Sequence, residues 1–144
     1  MTYLDTSALI KRFVVEKGSQ ELRRLVDHER TVATATVAYA EAYAGLTRRY
    51  RERGLSRRQY ERACEQFETE WDAYVRVELH REVLSAARDL IQRHALRGFD
   101  GIHLASAVVL QRGLGESVTF VAADERLLHA AAAERMPVFD VEST

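Results

Sequence analysis

The sequence predicts an α/β fold with a central, mainly parallel sheet. Short runs of β-forming residues alternate with longer stretches of helical periodicity along the whole chain, the pattern of strands joined by helical crossovers. With 144 residues, 47% of them hydrophobic, the chain suits one domain over 1–144 built on one core. Pro137 is the sole proline, and no low-complexity tract or fixed-period repeat breaks the sequence into parts.

Thr2 to Leu4 reads as a strand that runs into Asp5-Thr6-Ser7, after which Ala8, Leu9, Phe13 and Val14 recur at helical spacing. Gly18-Ser19 opens a second helix through Leu22, Leu25 and Val26, and Thr31 to Ala35 is the next buried strand. A long helix from Thr36 carries Glu41 and ends near Gly54. Ser56 then caps a helix bearing Tyr60, Cys64, Phe67 and Trp71. Val75 to Val77 is a third strand, followed by a helix from about Glu82 to Leu96. Gly98-Phe99-Asp100-Gly101 is expected to break the pattern before a helix built on Ile102, Ala105, Val108 and Val109, which stops at Gly113. A strand from Val118 to Ala122, a helix from Asp124 through Leu127, Leu128 and Ala131, and an edge strand at Pro137 to Phe139 complete the reading.

Composition excludes several classes. The formal net charge of -1 argues neither for nor against a nucleic-acid partner. Cys64 is the only cysteine, so no intrachain disulfide forms and no histidine–cysteine set of zinc type is available. Neither a basic stretch followed by an apolar one at the start nor any apolar run near the ~20 residues of a membrane span is present. The expectation is a soluble, cytoplasmic protein.

Chemistry is concentrated in four carboxylates. In parallel α/β sheets ligands gather at the carboxyl ends of strands, and Asp5 and Asp124 fall at such junctions. Asp100 stands at a helix start, and Glu41 lies in the first turns of the long helix among alanines and tyrosines, where an unpaired carboxylate is costly. Each aspartate has a plainer reading as a helix cap. If the four converge, neighbours ~4 Å apart repel by several kcal/mol at an effective dielectric near 20, so a cation must offset them. An all-oxygen donor set suits Mg²⁺ or Mn²⁺, which activates water and neutralises charge on a phosphodiester. Asp5, Glu41, Asp100 and Asp124 are thus candidate metal ligands and catalytic groups, with Thr6 or Ser7 orienting water or a ligating carboxylate.

Three segments, in order, resemble the PIN-domain nucleases of the VapC toxin family: Tyr3-Leu4-Asp5-Thr6-Ser7-Ala8-Leu9, Phe99-Asp100-Gly101-Ile102-His103-Leu104-Ala105-Ser106-Ala107, and Phe120-Val121-Ala122-Ala123-Asp124-Glu125-Arg126-Leu127-Leu128. With Glu41 between the first two, the similarity spans essentially the whole chain. It implies a PIN-like three-layer α/β/α arrangement, an acidic pocket for Mg²⁺ or Mn²⁺, and endonucleolytic cleavage of structured RNA such as tRNA or rRNA by the toxin of a type II toxin–antitoxin pair. A cognate antitoxin partner follows from it as well. One departure is that Ala122 stands two places before Asp124, where many relatives carry threonine or serine.

Around these acids, Arg48, Arg49, Arg51, Arg53, Arg57, Arg58 and Arg62 flank the turn at Gly54 and are candidates for RNA phosphate contact, unless they form only a solvated helix end. Tyr50 and Tyr60, interleaved with them, either stack on bases or pack. His103, one turn after Asp100, reads as a packed neutral histidine able to share the pocket's face, Cys64 as a small core residue, and Trp71 as the anchor of its helix on the sheet. The segment from Val37 to Leu46 is apolar nearly all round, which predicts burial on two sides and a groove, with the preceding helix, for a homodimer mate or an antitoxin peptide. Two rival enzymes fit less well. A dehalogenase-type phosphatase needs a second aspartate where Ser7 stands, and a receiver domain wants paired acids near the first strand. The residues also leave room for a catalytically silent PIN-like binding or regulatory module and for a nuclease acting on DNA.

Overall fold

The computed structural model describes residues 1–143. Its elements follow one another as β1 (Thr2–Leu4), α1 (Thr6–Ile10), α2 (Ser19–Asp27), β2 (Val32–Ala35), α3 (Ala38–Arg51), α4 (Arg57–Trp71), β3 (Val75–Val77), α5 (Arg81–His94), α6 (Gly98–Leu114), β4 (Thr119–Ala122), α7 (Glu125–Ala133) and β5 (Val138–Asp140). The strands form one sheet in the order β3-β2-β1-β4-β5, and every pairing among the described residues is parallel. From β1 the chain builds outward through β2 and β3, then returns to β1's other side for β4 and β5. The boundary between β1 and β4 is therefore the point where the strand order reverses, and a crevice opens there at the carboxyl ends.

Side-chain alternation divides the core into two layers. Tyr3, Ala33, Ala35, Phe120 and Ala122 face one side and pack with Val83 and Leu90 of α5, Leu104 and Val108 of α6, and Leu127 and Ala131 of α7. Leu4, Val32 and Val121 face the other, against Leu9, Leu22, Ala42, Leu46 and Phe67 from α1 to α4. Because both faces are covered, the strands read as near-continuous apolar runs. The arrangement is three-layered, α/β/α, as the family resemblance implies.

Three details depart from the sequence reading. Helix α1 ends at Ile10, and Phe13 and Val14 are buried from the turn beyond it. Helix α6 begins at Gly98, so the two glycines do not interrupt it. Gly101 is there for packing: a Cβ at that position would lie 2.4 Å from Ile91 Cγ1 on α5. Trp71 packs on Tyr39, Phe67 and Tyr74 and against the core layer that includes Leu4, Val32 and Val121 of the sheet, with Arg76 of β3 over its ring. Helix α3 buries one side, at Ala38, Ala42, Gly45 and Leu46, while Tyr39, Ala40 and Ala44 are exposed. It packs chiefly on α1 and α4, and it shares a core layer with Leu22 of α2. Alanine is apolar enough to suggest burial yet small enough to stand in water at little cost, which is why the all-round pattern misleads.

The approach of α3 to α1 depends on Gly45, where a Cβ would come 2.3 Å from Ile10 Cδ1 and 3.2 Å from Arg49 Nη1. Gly45→Val should therefore destabilise the fold by about 1–3 kcal/mol through overpacking, measurable as a lower urea midpoint at unchanged slope. A midpoint equal to wild type would mean that the two helices are not held this closely.

Candidate active site

Asp5 follows β1 directly and caps α1. Its Oδ1 accepts from the Ala8 amide at 2.9 Å and from Ser7 Oγ at 2.7 Å. Ser7 Oγ in turn accepts from the Ala123 amide at 3.2 Å, so one hydroxyl couples the β1–α1 junction to the β4–α7 junction. No sealed side-chain polar atom among the described residues lacks a partner, which leaves Asp5 Oδ2, not engaged by these bonds, open to the crevice. Asp124 caps α7 in the same manner, its Oδ1 accepting from the amides of Arg126 at 2.8 Å and Leu127 at 3.2 Å. The capping reading is thus realised for both aspartates, and each uses one oxygen for it. Asp100 caps nothing. It sits in the first turn of α6, whose N-cap is Arg97, and its only charged partner is that arginine, with Nε at 4.0 Å from Oδ2.

These three aspartates line one cleft of about 380 Å³ together with Ser7, Arg97 and Phe99. Glu41 does not line it. The first turn of α3 brings Glu41 Oε1 to Thr6 Oγ1 at 2.7 Å and His103 Nε2 at 2.7 Å. Thr6 donates to that oxygen, and the carboxylate acceptor places a hydrogen on His103 Nε2; Nδ1 is left to the Tyr3 hydroxyl at 2.8 Å. His103 is packed, with 2% of its surface exposed, yet it is also a functional neighbour whose importance the sequence reading undervalues. The signal for it is its position one turn beyond Asp100 on the same face of a helix.

Charge shapes this site. Burial pushes the Asp5 carboxyl above its ordinary value, offset in part by His103, Ser7 and the Ala8 amide, while Asp100 raises it further. Asp100 is likewise raised, first by burial, then by the repulsion of Asp124, with Arg97 and His103 opposing and Glu41 adding to it. Burial acts on Glu41 as well, but the hydrogen bonds from His103 and Thr6 and the interaction with His103 carry it below its ordinary value. Burial holds the Tyr3 hydroxyl well above its usual range, so it keeps its proton. Among the described residues no three of these acids stand at metal-ligand spacing.

The remaining sequence candidates lie elsewhere. Arg48, Arg49 and Arg51 occupy the last turn of α3 and Arg53 the turn beyond, roughly 15 Å along the helix from Glu41 at 1.5 Å per residue. Arg49 is engaged by Glu16 and the Gly45 carbonyl. Tyr50 and Tyr60 stack on each other at 4.8 Å between ring centres. Cys64 is half-buried beside the layer formed by α1 to α4. Ala122 is fully buried in the layer packed on α5 to α7, and the hydroxyl nearest in role is Ser7, which reaches the Ala123 amide from the first turn of α1.

The PIN domain family model matches residues 2–133. The chain belongs to the PIN-domain family. Two curated relatives from Mycobacterium tuberculosis strains, Ribonuclease VapC45 and Ribonuclease VapC49, are each 34% identical to this PIN domain over 132 residues, 92% of this chain and 89% of theirs. Among solved structures, a toxin–antitoxin complex from Klebsiella pneumoniae matches with TM-score 0.71 at 13% identity, covering 100% of both chains. FitAcB from Neisseria gonorrhoeae matches with TM-score 0.68 at 16% identity, again over 100% of both chains. VapBC2 from Rickettsia felis, solved with a DNA fragment from its promoter, matches with TM-score 0.61 at 11% identity over 97% of this chain and 98% of that one. At these identities the structural likeness concerns the PIN fold itself.

The raised Asp100 carboxyl has a consequence for stability. Its folded pKa lies above the ordinary 3.8, so folding takes up protons between those two values, and stability falls as pH rises through that window. Metal-free Asp100→Asn should therefore melt higher than wild type at neutral pH, the gap closing as pH falls to the ordinary aspartate range. Identical melting at both pH values would contradict the repulsive cluster.

Proposed function

We propose that this PIN domain is a metal-dependent endoribonuclease, the toxin of a type II toxin–antitoxin pair, hydrolysing phosphodiester bonds of structured RNA such as tRNA or rRNA. The observation that carries the reading is the convergence of Asp5, Asp100 and Asp124 on one open cleft at the β1/β4 crevice, with Glu41 held beside it. Relatives named as ribonucleases at 34% identity support the activity. Neighbours described as toxin–antitoxin complexes support a cognate antitoxin and a homodimer as partners. No helix among the described residues is long and apolar enough to cross a membrane, and we place the protein in the cytoplasm.

VapC ribonucleases of the PIN family generally depend on a divalent metal. The donors here fit one: oxygen only, three of the acids on one wall, each of the two caps with an oxygen to spare, and two carboxyls raised partly by the charge of neighbouring acids. Mg²⁺ or Mn²⁺ is the proposed cofactor, held by Asp5, Asp100, Asp124 and Glu41. When bound, such a cation supplies charge neutralisation for the phosphodiester and acidifies a water. The chain's own groups do the rest. Ser7 fixes the rotamer of Asp5 by donating to Oδ1. Thr6 and His103 fix Glu41 from two sides, with Tyr3 supporting the imidazole from the core. Arg97 offsets negative charge at the mouth, where the phosphate enters.

End-mapping of total cellular RNA after incubation with wild type or Asp5→Asn, each with Mg²⁺, Mn²⁺ or a chelator, tests this reading. The expected result is a discrete set of new ends that requires both the metal and Asp5. Folded, metal-supplied wild type that leaves RNA intact would favour a binding module instead.

A further inference from the structure

The acidic cleft does not end at Asp124. It shares Arg97, Asp100 and Asp124 with a narrow notch bounded by Ala95 and Arg126, and that notch shares Arg126 with a groove of about 550 Å³ between α7 and the end of α5. The path therefore runs continuously from the carboxylates, over the α5–α6 turn, to the outer face of α7. Two arginines, Arg97 and Arg126, line it.

Their charge is unspent. Arg97 has 85% of its side-chain surface exposed, and its one carboxylate contact is Asp100 at 4.0 Å. Arg126 donates from Nη2 to the Ala95 carbonyl at 3.2 Å, a neutral acceptor presented by a residue in the left-handed conformation, and has no carboxylate at ion-pair distance among the described residues. Two arginines elsewhere differ. Arg12 is held by Glu70 and Asp27, and Arg49 by Glu16. The groove also carries Glu125, next to Arg126 in sequence, while Glu134, which follows the lining residue Ala133, is held by Arg93 and His94, each at 2.6 Å. At the cleft mouth Phe99 is 56% exposed, a large apolar ring kept in water beside the acids.

A polyanion approaching three aspartates is repelled unless cations flank its point of entry. We infer that this path is a binding track for one strand of RNA, with Arg97 and Arg126 contacting backbone phosphates beside the scissile one and Phe99 stacking on a base. The proposal rests on the ribonuclease reading and assigns its substrate a direction across the surface. The notch is too narrow for a base, so the strand crosses it with its backbone inward, towards the two guanidiniums, and bases outward. Such a combination of guanidinium and exposed ring holds single strands with little regard to sequence. An acidic peptide would also meet the arginines, but the track leads into three carboxylates, where only a group that needs them gains by arriving.

The test is the affinity of the full chain, with metal chelated, for a short fluorescent single-stranded oligoribonucleotide over a salt series. Arg97→Gln/Arg126→Gln should weaken binding by about tenfold or more and lower the slope of log Kd against log salt by about 1.4, two phosphates at 0.7 each. Phe99→Ala should weaken binding about tenfold at unchanged slope. Arg112→Gln, in the last turn of α6 and away from the cleft, should alter neither. With metal present, the Arg97/Arg126 variant should raise KM for RNA cleavage by a larger factor than it lowers kcat. A double variant with wild-type affinity and slope, while wild type still cuts RNA, overturns the track and leaves the ribonuclease reading standing. Wild type that neither binds nor cuts RNA overturns both. A double variant that binds RNA normally but no longer holds the antitoxin gives the groove to a peptide and also overturns the track.

Discussion

Everything at the site depends on the parallel pairing of β1 with β4. The register sets Leu4 beside Val121, and the ladder continues one step further through the Asp5 amide to the Val121 carbonyl at 3.1 Å. That step places the two strand-to-helix junctions side by side, so the carboxylate ending one strand faces the carboxylate that follows the other. Ser7 closes the gap by bonding to Asp5 and to the Ala123 amide. A one-residue slip would turn Tyr3 and Leu4 to opposite layers and destroy both cores, so the burial that stabilises the sheet also fixes the geometry of the acids.

The acids are held against their own repulsion, and the supports are distributed unevenly. Asp5 and Asp124 are anchored by helix amides at one oxygen each, a favourable interaction that the helix dipole strengthens. Glu41 comes from the opposite layer of helices and is reached by His103 from the other, across the sheet's edge, with Tyr3 buried behind the imidazole. This chain of hydrogen bonds ties both helical layers to one carboxylate. Asp100 alone has no close support, and it is the group on which burial and Asp124 act most plainly. Functional sites of this kind are where stability is conceded, because a well-compensated Asp100 would have little left to offer a cation.

Much of this was legible in the sequence. All five strands fall within a residue of where periodicity puts them, α1 is shorter and α6 starts earlier than the pattern suggests, and Ser56 forms the expected cap, completed by Gln59. Asp5 and Asp124 were legible because their positions follow from where strands end, and Asp100 because it stands at a helix start. What the residues could not reveal were interactions between distant segments. Gly101 looks like a helix breaker until Ile91 is seen against it, and the alanines of α3 look buried until their partner helices are located. The pairing of His103 with Glu41 joins residues far apart in the chain, and no local pattern announces it. The arginine-rich turn after α3 was conspicuous in sequence, whereas Arg97 and Arg126, isolated in the chain, adjoin the cleft.

The central claim is that separate chain segments supply one cation site. Titration of metal-free protein with Mn²⁺, followed by calorimetry, tests it directly in wild type, Asp5→Asn and Asp100→Asn. The account predicts measurable binding by wild type and a loss of at least about tenfold in affinity for each variant, since even groups that only support a ligand cost that much when removed. Equal Mn²⁺ affinity in all three proteins would contradict it.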